Sequence, residues 1–417
     1  MTSWIKLAFR NLARNKRRSV VTILAATLGF AAVNLFGGFT TYMFVNLRDA
    51  FIYAGGNGHL QVCKKGYHQH GATDPANYLL SAETYQKLRK LAEEDDRIIL
   101  AAGKLDVSGQ IDSGNASNIF IGRAVTPSEH EEFFKHSKTL KRGFSFLAKG
   151  EKITDDNPYA IGVAFGVEET LGLNLEDEVV LMARTLDGQL NVVDAAVKHV
   201  FGNASANLAD KLIFMPLQLA QELYQTDGVG TVGILLNHQG DLDSVREKIE
   251  AVLADAPEEL EITPWDQQSE MYKLTRKMFN MIFGIVFIIL IVIVTMSVMN
   301  TMGMAILERT TEIGTLRALG LKQVGVIFLF GIEGALLGVL GSITGMIATI
   351  AVWLLVKIQQ PMWTPPTIAR EVPLEIRLEP SYLLITTVFL VVLTLAAAII
   401  PARKASKTGI VEALGHV

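Results

Sequence analysis

One cysteine stands in 417 residues, so no intrachain disulfide can form and any folded part must be held by its own core. That residue, Cys63 in HLQVCKK, lacks the small-residue context of a lipidation site and reads as a plain thiol. Missing too are the phosphate-cradling G-x-x-x-x-G-K-[ST] loop and any G-x-G-x-x-G after a strand-like run. The nearest approach, GGNGH at Gly55–His59, has neither the lysine nor a following helix and reads as a turn. The chain is therefore not expected to hydrolyse ATP. No G-x-S-x-G elbow, H-E-x-x-H pair or Cys–His pair supports hydrolytic chemistry. His68 and His70 of HQH come without a third ligand and read as a solvated loop, so neither a metal nor a bound cofactor is expected.

Charge is absent where the apolar residues gather. Val20–Val45, Met278–Met302, Val324–Val356 and Tyr382–Ala402 hold no Asp, Lys or Arg, and Glu333 is their one acid. Each is long enough for the roughly 18 to 20 residues that cross a hydrocarbon core. The first run is too long for the apolar part of a signal peptide and reads as an uncleaved anchor that continues past the bilayer as a stalk. Lys6, Arg10, Arg14, Lys16, Arg17 and Arg18 precede it without an acid, and Arg403, Lys404 and Lys407 follow the last run. Positive residues stay inside, so both termini are expected in the cytoplasm of a multi-pass protein of the cell inner membrane. The long insert then lies outside. From Arg48 to Glu270 it carries 35 Asp and Glu against 20 Lys and Arg, a balance that argues against nucleic acid as a partner.

The organisation that follows is a membrane α-helical fold of four spans, with a large extracytoplasmic α+β domain inserted between the first and second. Its expected segments are a cytoplasmic amphipathic helix (1–18), first span and stalk (19–46), extracytoplasmic domain (47–262), stalk and second span (263–302), cytoplasmic helix (303–323), third span (324–356), external loop (357–381), fourth span (382–402) and cytoplasmic tail (403–417). In SWIKLAFRNLARN, Trp4, Ile5, Ala8, Phe9 and Leu12 share one arc while Lys6, Arg10 and Arg14 line another, which predicts a helix lying on membrane lipid. In the insert, EVVLMAR, LNVVDAAVKHVF, KLIFM and TVGILLN read as strands, and AIGVAFGVEETLG, PLQLAQELY and DLDSVREKIEAVLAD as helices. Residues 103–123 are expected to form a smaller strand-rich piece, making two subdomains. Thr126 with Glu129 predicts a capping box, and Thr263 with Pro264 and Asp266 a second cap whose helix runs unbroken into the second span. Pro361, Pro365, Pro366, Pro373 and Pro380 deny the external loop a regular helix, with Trp363 near the headgroups.

Three features invite a functional reading. Glu333, an ionisable group inside a span, serves either a structural polar contact or a working role. GALLGVLGSITG places Gly334, Gly338, Gly341 and Gly345 where helices can approach closely. ERTTEIGTLRALG is charged and helix-like between two apolar runs. As one helix over 306–319 it would set Glu308 and Glu312 at i, i+4, a repulsive pair, with Arg309, Ile313 and Arg317 on an adjacent face. Gly314 costs about 1 kcal/mol relative to Ala and with Ala318 leaves a bare patch, and Gly320 suits the helix end. The combination reads as a docking surface for a second protein.

These stretches, with LAFRNLARNKRRSVVT at the start and PARKASKTGIVEAL at the end, resemble the permease subunits of the MacB/FtsX-like ABC transporter family, including its LolC/LolE branch. Ile410 stands where that family usually has proline. The resemblance implies a non-catalytic permease working with a second copy or a paralogue. A separate cytoplasmic ABC ATPase would use ATP and Mg, and a periplasmic carrier or envelope protein could be a further partner. It implies that Glu308, Arg309, Glu312, Ile313, Gly314, Arg317, Ala318 and Gly320 couple to the ATPase, and that its turnover moves the external domain to move or release a lipoprotein, lipid or peptide. The alternative it leaves open is an FtsX-like regulator that activates a cell-wall hydrolase.

Overall fold

Uninterrupted apolar runs become long helices, and the acidic insert becomes a sheet. The computed structural model describes residues 2–14, 16–137, 147–202, 208–363 and 372–409. In chain order come α1 (Thr2–Arg14), α2 (Lys16–Asp49) with a π-type turn at Ala50–Ala54, β1 (Leu60–Lys64), the short α3 (Tyr67–His70) and α4 (Pro75–Tyr78), α5 (Ala82–Glu94), β2 (Ile98–Asp112), β3 (Ser117–Val125), α6 (Pro127–His136) and β4 (Leu147–Gly150). Next are β5 (Ala160–Ala164), α7 (Phe165–Leu171), β6 (Glu178–Arg184), β7 (Leu190–Phe201), β8 (Leu212–Pro216), α8 (Leu217–Tyr224), β9 (Thr231–Leu236), α9 (Leu242–Val252), β10 (Leu260–Pro264) and α10 (Trp265–Gln268). The last are α11 (Glu270–Glu308), α12 (Thr310–Ala318), α13 (Gln323–Gln359), β11 (Met362–Trp363), β12 (Val372–Pro373) and α14 (Pro380–Ser406). Residues Met1–Met43, Thr275–Pro361 and Pro373–Val417 make one compact unit, and Phe44–Leu274 with Met362–Val372 the other.

Among the described residues, four helices, each mostly within the first unit, are long and apolar enough to cross a membrane: Lys16–Ala54, Tyr272–Glu308, Gln323–Gln359 and Pro380–Ser406. Ala26 and Phe30 of α2, Val294, Val298 and Met302 of α11, Phe330 and Leu337 of α13, and Leu390 and Ala398 of α14 form one apolar cluster. Much of α11 is left outside it: Ile285, Ile288, Ile293 and Met296 are exposed, a surface suited to hydrocarbon rather than water. The proline-rich stretch 364–371, with Pro365 and Pro366, lies outside the described residues, as does the tail from Ile410 onward.

The second unit is built on one connected sheet in the order β10-β1-β9-β2-β3-β8-β5-β7-β4, with β6 bridging β2 and β7. Two neighbouring pairs, β3–β8 and β5–β7, are parallel. Alternation sets the faces: in β7 Val193, Ala195 and Val197 are buried while Val192 and Asp194 are exposed. Leu60, Leu105, Ile111, Phe120, Ile161, Leu181 and Ile213 form the centre of its core.

Several expectations are corrected here. Residues 103–123 do not make a separate piece, because β2 and β3 lie in the middle of the common sheet. AIGVA is a fully buried strand and not the start of a helix, since a continuous apolar run of five carries no period that separates the two. Thr126 occupies the N-cap of α6, but its side chain makes no capping bond to the helix backbone; it bonds the Glu129 side chain, which also pairs with Arg89 at 3.4 Å. Thr263 and Pro264 end β10, and Ser269 (φ −70°, ψ 90°) interrupts α10 from α11, so the helix of the second span begins at Glu270. HQH is the helical turn α3, with His68 exposed and its Nε2 3.6 Å from the Cys63 sulfur.

Candidate coupling site

Arg309, at φ −119° and ψ 18°, ends α11 and starts α12. Glu308 and Glu312 therefore lie on different helices, which corrects the reading of 306–319 as one element. Their charges are neutralised from the chain's first residues. Arg18 Nη1 donates to Glu308 Oε1 at 2.5 Å, and Arg14 Nη1 to Glu312 Oε1 at 3.1 Å. Arg309 Nε also donates to Glu312 Oε2 at 3.1 Å, and these bonds hold the Glu312 carboxyl below the usual carboxylate range. Two acids four residues apart meet two arginines four residues apart, a complementary spacing visible in the sequence but not read from it.

Glu333 is only 2% exposed. Its Oε1 accepts from Asn11 Nδ2 at 2.5 Å and from Arg309 Nη1 at 3.2 Å, and the Arg309 guanidinium lies 5.9 Å from the centre of the Phe330 ring. A buried carboxylate with a cationic partner and a neutral donor has the satisfaction such burial demands. Asn11 and Arg18 were not among the candidate site residues.

The residues expected to face a partner divide into two sets. Ile313 and Gly314 are buried, Ile313 in the same apolar cluster as Leu12 and Phe330. Arg317 is half-buried and donates to the Thr408 carbonyl. Ala318 and Gly320 are exposed, as are Thr311, Thr315, Leu316 and Leu319, which were not among the expected residues, Leu319 at 80%. Gly320 has φ +103°, a conformation that favours glycine and turns the chain toward α13.

The N-terminal helix does not keep its apolar arc together. Ala8 and Leu12 are buried, whereas Leu7, Phe9 and Arg10 are exposed, and the side chain of Trp4 lies outside the described residues. The glycines of α13 serve two partners. A Cβ on Gly334 would sit 2.5 Å from that of Ala398, and Gly338 abuts Thr394 and Val391, both contacts with α14. Gly341 and Gly345 instead approach Ala26 and Phe30 of α2.

The other unit holds a polar interior of its own. Lys104 Nζ donates to the Gly55 carbonyl at 2.9 Å and to Asn57 Oδ1 at 2.7 Å, and burial pushes its pKa down to about 7. Burial likewise pushes His59 and His199 down to about 4 and His130 to about 3. Ile52, Ala102, Phe133, Leu235 and Trp265 form a small cluster beside this loop. An open cleft of about 530 Å³ is lined in part by Tyr85, Arg89, Asp155, Gln218 and Gln221. Among the described residues no three His, Cys, Asp or Glu side chains are grouped to hold a metal.

Comparison with known proteins bears on both units. A family model for the MacB-like periplasmic core domain matches residues 19–252, and one for the FtsX-like permease C-terminal region matches residues 284–410. The chain is 22% identical over 357 residues to an uncharacterised ABC transporter permease of Methanocaldococcus jannaschii, covering 82% of each. It is 22% identical over 281 residues to the lipoprotein-releasing system transmembrane protein LolC of Xylella fastidiosa, covering 66% of this chain and 65% of that one. It is 21% identical over 430 residues to the macrolide export ATP-binding/permease protein MacB of Chlorobium luteolum, covering 99% of this chain and 60% of that one. Since one family model spans more than half of its residues, the chain belongs to the MacB-like periplasmic core domain family and is an ABC transporter permease of the MacB, LolC and FtsX type.

Proposed function

We propose that this permease transmits the work of a separate cytoplasmic ATPase to its sheet-built domain on the opposite side of the membrane, and so moves or releases a lipid-bearing envelope molecule. The carrying observation is the exposed face of α12, where Thr311, Thr315, Leu316, Ala318 and Leu319 stand free between two apolar helices while Ile313 and Gly314 anchor the other side. An anchored short helix with a small, mixed apolar and hydroxyl face offers a partner a seat that a merely solvated connector would not need.

Basic residues flanking the first and last spans support cytoplasmic termini and, with them, α12 on the ATPase side. The chain has no phosphate-cradling motif, so nucleotide turnover belongs to the partner. The LolC relative favours a lipoprotein as cargo. A second permease, the same chain or a paralogue, completes the assembly.

Affinity purification of the full chain from its own membranes tests the proposal. A co-isolated ABC ATPase, lost in Leu316→Asp with Leu319→Asp, and lipid-modified protein in the same eluate are the expected results. Recovery of a cell-wall hydrolase in place of cargo would favour the regulatory reading, and an ATPase retained by the double variant would remove α12 as its seat.

A further inference from the structure

We infer that the N-terminal helix is part of the coupling device, a clamp that fixes the pose of α12, with Glu333 as its buried hub. This deepens the proposed function and rests on α12 being the ATPase seat.

The geometry is a closed circuit. Asn11 donates to Glu333, Arg309 donates to the same Glu333 oxygen and to Glu312, and Glu312 accepts from Arg14. The circuit starts and ends on α1, three residues apart, and passes through α13, the break between α11 and α12, and the first turn of α12. A second link, Arg18 to Glu308, ties the start of α2 to the last residue of α11. Below the polar circuit Leu12, Ile306, Ile313 and Phe330 share one apolar cluster, so polar and apolar contacts hold the same elements together.

The two outer pairs are exposed and individually weak, since surface ion pairs are screened and mobile. The Arg309–Glu333 pair is different: its side chains are 13% and 2% exposed, and a buried pair tolerates little change of geometry without leaving a charge unpaired. Any tilt of α12 that displaces Arg309 must therefore carry α13, and through Asn11 also α1, with it or break the hub. Resting on lipid needs only the outward side chains Leu7, Phe9 and Arg10 and leaves the Asn11–Glu333 bond without a role. A clamp accounts for the inward ones.

The test uses the full chain isolated with the ATPase it holds, measuring Mg-ATP hydrolysis per bound ATPase. Glu333→Gln and Asn11→Ala lie off the exposed face of α12, so the amount of ATPase held stays as in the unaltered chain. Hydrolysis per ATPase changes by at least about fivefold, the lower end of ordinary coupling between sites. Arg14→Glu produces a change of the same sign, whereas Arg14→Lys, which keeps a positive charge opposite Glu312, holds the original rate, a distinction that a loss of general packing would not give. Unaltered hydrolysis in all the single variants, with ATPase still bound, would overturn the clamp alone. An unaltered chain that holds no ATPase would overturn the seat and the clamp together. Should Glu333→Gln fail to accumulate in the membrane, Asn11→Ala and the two Arg14 variants decide the matter.

Discussion

A Cβ added to Gly341 of α13 would lie 2.5 Å from the Cβ of Ala26 in α2, closer than two carbons pack. Apolar helices in a bilayer gain no hydrophobic drive toward each other, so contact of this kind is what holds them. Gly341→Ala is expected to lower the thermal midpoint of the detergent-solubilised chain, at the roughly 1–3 kcal/mol typical of overpacking. Ala26→Gly in the same chain should return most of it, because the Ala26 Cα would then be 3.7 Å away. If Ala26→Gly gives no recovery, the contact is not what limits stability.

Acid should weaken the sheet-built unit. His59, His130 and His199 have pKa values near 4, 3 and 4 in the fold because burial disfavours the imidazolium. Buried Nδ1 atoms of His130 and His199 have no hydrogen-bond partner among the described residues, and His59 Nδ1 accepts the Leu236 N–H, so a proton on Nδ1 has nothing to bond. The unfolded chain binds protons near pH 6.5 and the folded one does not. The stability is therefore whole above about pH 6.5 and is lost as pH falls toward 4, by about 2 kcal/mol per histidine at pH 5. Unfolding followed by fluorescence of the buried Trp265 should show the midpoint dropping over that range, and His130→Phe should shallow the drop.

The thiol of Cys63 should be inert. It is fully buried in β1, and burial, reinforced by Glu261, pushes its pKa up to about 12. Maleimide at neutral pH is expected to leave the folded chain unlabelled and to modify it stoichiometrically in denaturant. Labelling of the native protein at the rate of a free thiol would show that β1 opens.

The four membrane helices were legible in the residues because hydropathy is a property of each residue and needs no partner; each expected run lies inside a helix found there. The glycines of α13 were legible as packing positions, but not that Gly334 meets α14 while Gly341 meets α2. Periodicity could place Ile313 and Gly314 on a face of a helix; it could not say that the protein's own core covers that face. The partners of the loop acids were hidden by distance, since Arg14 and Glu312 are 298 positions apart. Thr126 shows the converse failure, a local capping motif that caps no backbone N–H and whose glutamate is shared with Arg89 from another helix.

Lys104 should prove to be the pin that holds the loop at the end of the first long helix against the sheet. Its Nζ bonds the Gly55 carbonyl and Asn57 Oδ1, and Asn57 Nδ2 in turn donates to the Phe51 carbonyl at 2.8 Å. Gly56 and Gly58, at φ +59° and +71°, give the chain a sharp reversal that few other residues could follow. Lys104→Met keeps the length and apolar stem of the side chain and removes its donors. Two half-buried acceptors then lose their donor, at a cost of up to about 1–3 kcal/mol each. The Trp265 fluorescence midpoint should fall accordingly, since Trp265 shares a cluster with Ile52, which precedes the loop. Because α1, α12 and Glu333 lie in the other unit, the amount of ATPase bound should not change. A variant that sheds the ATPase while keeping its fluorescence midpoint would place the role of Lys104 elsewhere.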